Sequence, residues 1–88
     1  MRHELKILPN YFQDVWSGKK TFELRKDDRG YQCGDELVLR EWDVTGYTGS
    51  VLLVRVTYVL RNAEQYGLKD GYVILGIDHY LGPTKRCD

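Results

Sequence analysis

Five short segments of strand-like composition, set apart by turns, limit what this chain can fold into. They lie at residues 3–8, 21–26, 36–42, 51–60 and 72–80, and glycines mark the connections that follow several of them. Each alternates apolar with polar residues or carries a β-branched or apolar run, which is typical of β-strands. With 88 residues the chain has room for a single domain over residues 1–88, so we expect one strongly curved sheet or small barrel.

One helix is predicted between the first two strands. Pro9 suits a first helical turn because the N–H it lacks is not needed there. Apolar residues at 11, 12, 15 and 16 share one helical face, and Gly18 follows where helices often end in a left-handed residue. We predict a core built from Trp16, Phe22, Leu24, Val54, Val56 and Ile74.

Composition excludes several classes of protein. Thirteen basic and thirteen acidic residues balance, which argues against a polyanion binder held by bulk charge. The chain has no apolar run near the roughly 18 residues that span a bilayer, so we expect no membrane contact.

The two cysteines, Cys33 and Cys87, show no zinc-ligand spacing, so we expect no metal and no cofactor. Without a recognisable secretory signal, both thiols are expected to be reduced, the location cytoplasmic, and the 82–88 tail frayed.

The stretch SGKKTFELRK, residues 17–26, concentrates charge on a predicted strand. Alternation predicts that Phe22 and Leu24 point into the core, with Glu23 and Arg25 on the other face and Lys20 entering from the turn. Two cations can hold a phosphate or polarise a carbonyl, and a carboxylate can accept hydrogen bonds from a base or shuttle a proton. A solvated sheet face carrying weak ion pairs is the alternative reading of the same pattern.

The same stretch, with the helix before it, resembles the ASCH superfamily signature Gly-x-Lys-x-x-Glu-x-Arg, here Gly18, Lys20, Glu23 and Arg25. Three blocks, HELKILPNYFQDVWSGKKTFELRK, GDELVLREWD and GLKDGYVILGI, together resemble the bacterial and phage family DUF3850. The resemblance runs from residue 3 to about residue 77. It implies an α+β, mainly β fold: a small PUA-like, ASCH-type curved five-stranded β-barrel with one N-terminal helix.

The resemblance also implies a connection with RNA, because PUA-like domains bind RNA or modified bases and some ASCH members are enzymes. One ASCH branch deacetylates N4-acetylcytidine with a Lys, a Thr and a Glu. Its Lys matches Lys20, but Glu23 stands where its Thr would be. That activity therefore does not carry over, although Lys20 and Glu23 remain candidates for a catalytic pair.

The ligand is expected to meet Lys20, Glu23, Arg25, Tyr72 and Arg40, with phosphate contacts from Lys19 and Lys26. Trp42 and Tyr47 are further candidates for stacking on a base. The leading hypothesis is a PUA-like module that binds RNA or a nucleotide-like molecule. A small amidohydrolase-type enzyme acting on a modified nucleoside and a bacterial or phage protein-interaction module are the alternatives, and the oligomeric state stays open.

Overall fold

The computed structural model of the chain describes residues 1–79. The elements are β1 (Arg2–Ile7), α1 (Pro9–Trp16), β2 (Phe22–Lys26), β3 (Glu36–Asp43), β4 (Gly46–Leu60), a 3₁₀ turn (Glu64–Tyr66) and β5 (Tyr72–His79). The five predicted strands and the single helix are confirmed, although β4 begins at Gly46 rather than Val51. The expectations for Cys87 and for the 82–88 tail concern residues outside the described range.

The strands form one sheet in the order β1-β3-β4-β5-β2. The β1–β3 pair is parallel, and the other three pairs are antiparallel. The sheet curls into a half-barrel that confirms the predicted α+β, mainly β class. Its two edge strands, β1 and β2, face each other across a gap that arginine side chains bridge. Arg25 Nη2 donates to the backbone oxygen of Lys6 at 2.7 Å, and Arg29 Nη1 donates to that of Glu4 at 2.8 Å.

Alternation along β1, β3 and β5 places every second side chain in the core. The core cluster consists of Leu5, Ile7, Phe12, Val15, Tyr31, Leu37, Leu39, Val54, Val56, Val73, Leu75 and Ile77. Helix α1 contributes Phe12 and Val15, and its end is held where His79 Nε2 donates to the Val15 oxygen at 2.8 Å. Gly18 adopts φ +84°, as predicted for the residue that closes the helix.

The predicted core was correct for Val54 and Val56 and wrong for three other residues. Trp16, Phe22 and Leu24 are all about half exposed, at 57%, 47% and 53%, while Ile74 is half-buried. Trp16 lies at the end of α1, where its ring packs on Phe12 at a centroid distance of 5.9 Å. Phe22 and Leu24 are exposed because β2 turns its other face inward, which buries Glu23.

A buried carboxylate ties β1 to the loop before β3. Asp35 accepts hydrogen bonds from the Met1 ammonium at 3.0 Å, His3 Nε2 at 2.9 Å and the Gln32 backbone N–H at 3.0 Å. Burial by itself would raise the pKa of Asp35. The hydrogen bonds from His3, Gln32 and the ammonium outweigh burial, so the pKa lies below its usual value. Ionised Asp35 therefore stabilises the edge of the sheet.

The loop before β3 also carries Cys33, which is in a disulfide. The expectation of a reduced thiol was therefore wrong at this position. The prediction was based on the residues at the start of the sequence, and these do not determine how a cysteine is paired. Within residues 1–79, no helix is both long and apolar enough to cross a bilayer.

Candidate functional site

A groove of about 480 Å³ opens where the edges of β1 and β2 face each other. Its size falls within the range of roughly 300–1,000 Å³ that is typical of small-molecule sites. The end of β1, helix α1, the turn after it and β2 all contribute residues. The lining residues are Lys6, Ile7, Leu8, Tyr11, Lys20, Phe22, Glu23, Leu24 and Arg25.

Glu23 is the buried centre of the groove, with 3% of its surface exposed. Lys20 Nζ contacts one carboxylate oxygen, and Arg25 Nε donates to the other at 3.0 Å. A buried charge is costly unless it is paired and hydrogen-bonded. The two cations therefore explain why β2 turns Glu23 inward and leaves its apolar neighbours outside.

Lys20 is fixed by the turn that follows α1. Its backbone N–H donates to the Asp14 oxygen at 2.9 Å, and its Nζ also donates to the Phe22 oxygen at 2.8 Å. The ammonium lies 5.0 Å from the centroid of the Phe22 ring and 5.5 Å from that of Tyr11. Both separations fall within the range of cation–π attraction. Lys20 thus places a cation between two aromatic rings.

Arg25 connects the two walls of the groove. It holds Glu23 on its own strand and the Lys6 carbonyl on β1 at the same time. Its side chain is 24% exposed, against 14% for Lys20, so Arg25 is the more accessible cation. Lys20, Glu23 and Arg25 together carry one net positive charge when ionised. They can attract an anion or donate to a carbonyl without being reorganised.

The groove also has an apolar rim. Leu8, Tyr11, Phe22 and Leu24 line it, and each is roughly half exposed. Flat aromatic rings beside a cation provide stacking surfaces for a planar ring, while the aliphatic side chains exclude water at its edge. The site therefore combines a charged floor with an apolar, partly aromatic mouth.

The structure brings together the three residues of the charged motif and separates the other candidates from them. Tyr72 pairs with Lys26 between β5 and β2, and its ring lies 5.5 Å from Lys69 Nζ. Lys19 and Lys26 are exposed. Arg40 lies on the outer face of β3, its guanidinium carbon 4.0 Å from the centre of the Tyr47 ring. None of the residues that line the groove is among these.

Sequence reasoning missed the apolar half of the groove. Phe22 and Leu24 had been assigned to the core, while Lys6, Leu8 and Tyr11 had no assigned role at a site. The sequence did contain a signal for a buried Glu23. Cations lie three residues before it and two residues after it, and their charges can offset the cost of burying a carboxylate on a strand. The contribution of β1 left no local signal, because it depends on the curl of the sheet.

A second carboxylate, Glu41, was also missed. It is 7% exposed at the end of β3 and accepts hydrogen bonds from Thr48 Oγ1 at 2.8 Å and Gln13 Nε2 at 3.3 Å. Both donors are neutral, and the residue pairs with Ile7 in the sheet register. Over residues 1–79, no three or more His, Cys, Asp and Glu side chains group in a way that could hold a metal ion.

Comparisons with known proteins identify a family, a phage relative and a solved structure of similar fold. A family profile described as "Domain of unknown function (DUF3850)" matches residues 2–77. An uncharacterised 12.9 kDa protein from the GpA 3′ region of Escherichia phage P2 is 46% identical over 57 residues, which cover 65% of this chain and 52% of that protein. The chain thus spans about half the length of this relative. The crystal structure of the hypothetical protein PH0355 superposes with a TM-score of 0.63 at 18% identity, covering 90% of this chain and 99% of that one; the likeness shows the fold alone.

Proposed function

We propose that this chain, which belongs to the DUF3850 family, is a binding module that takes one nucleotide unit of RNA, or a nucleotide-like molecule, into the groove between β1 and β2. The observation that carries the proposal is the position of Lys20. Its ammonium is anchored to buried Glu23 and lies between the half-exposed rings of Tyr11 and Phe22. The resemblance of residues 17–26 to the ASCH signature supports the same reading and favours the PUA-like superfamily.

The chemistry of the groove matches the parts of a nucleotide. A base can stack on Tyr11 or Phe22, and stacking of this kind contributes about 1–3 kcal/mol per base. Arg25 and Lys20 can donate to a base carbonyl or a phosphate oxygen. Lys6, an exposed residue on the β1 side of the groove, provides a third cation near the groove for the phosphate backbone of an RNA. A groove of about 480 Å³ suits one nucleotide rather than a duplex.

Charge balance favours local recognition over bulk attraction. The whole chain is neutral, so affinity must come from the groove. For a single strand, log K changes with log salt by about −0.7 per phosphate neutralised. With one to three cations at the groove, we expect a slope between about −0.7 and −2. A much steeper slope would indicate an extended basic surface, which the neutral composition does not offer.

The arrangement of Glu23 favours a structural role for its carboxylate. Both oxygens already accept hydrogen bonds from cations, and 5% of the side chain is exposed. A general base that activates water must reach that water with a carboxylate oxygen. Glu23 instead orients Lys20 and Arg25, so binding is better supported than hydrolysis of a modified nucleoside.

One observation favours a second candidate, a protein-interaction module. Four large apolar residues around the opening of the groove are about half exposed: Leu8, Tyr11, Phe22 and Leu24. Trp16, the last residue of α1, is also exposed. Contiguous exposed apolar surface marks many protein interfaces. Such a partner would cover the rim without needing the charged floor, and this difference allows the two candidates to be separated by mutation.

The proposal is tested by titrating the protein with cytidine and adenosine monophosphates and with a single-stranded RNA of about eight nucleotides. Tyr11→Ala removes a stacking ring, and Arg25→Gln removes the accessible cation. Tyr66→Ala, which changes an exposed tyrosine outside the groove, is the matched control.

We expect wild type and Tyr66→Ala to bind alike and Tyr11→Ala to lose about 5- to 100-fold in affinity. Arg25→Gln should lose affinity and show a shallower salt slope. Absence of binding to all three probes would refute the proposal. If a partner protein is then found whose binding depends on Tyr11 and Leu24 but not on Arg25, the interaction module is the correct reading.

A further inference from the structure

Four side chains form a cation–aromatic group on the outer face of β1, β3 and β4, which we call the outer-face cluster: Lys6, Arg40, Trp42 and Tyr47. Lys6 Nζ lies 4.4 Å from the centre of the Trp42 ring, and the Arg40 guanidinium carbon lies 4.0 Å from that of Tyr47. Lys6 is also 6.0 Å from the Tyr47 ring. Two rings and two cations therefore alternate over one small area.

An irregularity in the β3–β4 pairing builds this cluster. Arg40 pairs with Val51, yet Trp42 pairs with Tyr47, so the β4 side has extra residues at this point. Gly49 adopts φ +95° within them. The extra residues let Thr48 Oγ1 donate to the inner carboxylate of Glu41 at 2.8 Å, while the ring of Tyr47 stays half exposed. Bulges of this type re-aim side chains and are frequent beside functional sites.

Lys6 makes the outer-face cluster continuous with the groove. Lys6 is one of the residues that line the groove on the β1 side, and its ammonium lies over Trp42. A chain that leaves the groove over the edge of β1 therefore meets Lys6 first and the two rings next. The nearby Glu4 lies 3.9 Å from Arg40 and offsets one of the two cations, which leaves one net positive charge at this point.

We infer that the outer-face cluster is a second stacking platform and that the ligand is single-stranded RNA of at least two nucleotides. One base occupies the groove, the connecting phosphate lies at Lys6, and a neighbouring base stacks on Tyr47 or Trp42. This rests on the proposed function and narrows it, because a free mononucleotide would not reach the platform. Aromatic rings beside cations are the chemistry that single-strand binders use.

The test compares one small probe with one long probe. Affinities are measured for cytidine monophosphate and for a single-stranded RNA of about eight nucleotides. The variants are Tyr47→Ala, Tyr47→Phe and Tyr11→Ala, and thermal unfolding checks that each one folds. Tyr47→Phe keeps the ring and loses only the hydroxyl, so it separates stacking from hydrogen bonding.

We expect Tyr47→Ala to weaken RNA binding by about 5- to 100-fold and to leave binding of the mononucleotide unchanged. Tyr47→Phe should bind both probes like the wild type, and Tyr11→Ala should weaken both. If Tyr47→Ala binds the RNA as well as the wild type while Tyr11→Ala does not, the second platform is refuted and the groove proposal stands. If neither probe binds the wild type, the proposed function itself fails.

Discussion

Replacing Glu23 by Gln gives a strong test of how the groove is built. The substitution keeps the size of the side chain and removes its charge. It leaves Lys20 and Arg25, which contact the two carboxylate oxygens, facing each other without the anion between them. Breaking a buried ion pair by removing one partner costs about 3–5 kcal/mol.

The expected cost here is lower, because the two cations are 14% and 24% exposed and water can solvate them in part. We therefore expect Glu23→Gln to lower the free energy of unfolding by about 2–3 kcal/mol. For a domain of this size, each 1 kcal/mol corresponds to about 4–8 °C in Tm, so the melting temperature should fall by roughly 8–24 °C. Urea and thermal unfolding followed by circular dichroism would measure both quantities.

Glu36→Gln provides the matched control. Glu36 pairs with Arg2 at 3.2 Å, and the arginine side chain of that pair is 59% exposed. Exposed pairs contribute about 0–1 kcal/mol, so this variant should unfold almost like the wild type. Equal and small effects of the two substitutions would show that Glu23 behaves as an ordinary surface carboxylate and that its ion pairs do not stabilise the groove.

Three further predictions follow from the packing and the buried charges. Leu24→Ala should change the free energy of unfolding by less than about 1 kcal/mol, because Leu24 is half exposed. Leu37→Ala, at a fully buried position, should lower it by about 2–5 kcal/mol. Equal losses in urea unfolding would contradict the orientation of β2. The lowered pKa of Asp35 means that its contribution to the free energy of unfolding is complete above about pH 4 and is lost as the pH falls through the lower pKa of the folded state. The wild type should therefore lose stability in acid, and Asp35→Asn should lose less over the same range. Parallel profiles of stability against pH for the two proteins would argue against this role of Asp35. Gly18→Ala should lower stability by about 1 kcal/mol or more, because φ +84° strains any residue with a Cβ, and an unchanged midpoint in denaturant would show that the turn relaxes freely.

The sequence predicts the fold well where one face of a strand packs against the core. In β3, Leu37 and Leu39 share one face while Glu36 and Arg40 lie on the other, and this alternation agrees with the buried face. The helix is equally readable, since Pro9 and Gly18 mark its limits through their backbone preferences. Local chemistry determines these elements, so local patterns reveal them.

The same reasoning fails in β2 because its orientation depends on charge pairing across the fold. Alternation assigns Phe22 and Leu24 to the core, but Glu23 is buried once Lys20 and Arg25 neutralise it. Arg25 also needs the Lys6 carbonyl, which belongs to the opposite edge of the sheet. The gap between β1 and β2 arises from the parallel β1–β3 pairing and from the curl of the five-stranded sheet. Neither of these can be predicted from a local sequence pattern.

The charged part of the candidate site was accessible from sequence because Lys20, Glu23 and Arg25 lie within six residues of one another. The aromatic and aliphatic part was not, because Tyr11 and Leu8 reach the groove only through the packing of α1 and β1 beside β2. Tyr47 was recognised as a candidate, but its position over Arg40 depends on the irregular pairing of β3 and β4.

Amide chemical shifts measured during titration with single-stranded RNA show whether the groove between β1 and β2 receives a nucleotide. If it does, the largest changes are expected at Lys6, Tyr11 and Lys20 and at the Nε–Hε signal of Arg25, with little change in the 3₁₀ turn Glu64–Tyr66. Unchanged spectra at saturating RNA, or changes centred on that turn instead of the groove, would rule out nucleotide binding in the groove.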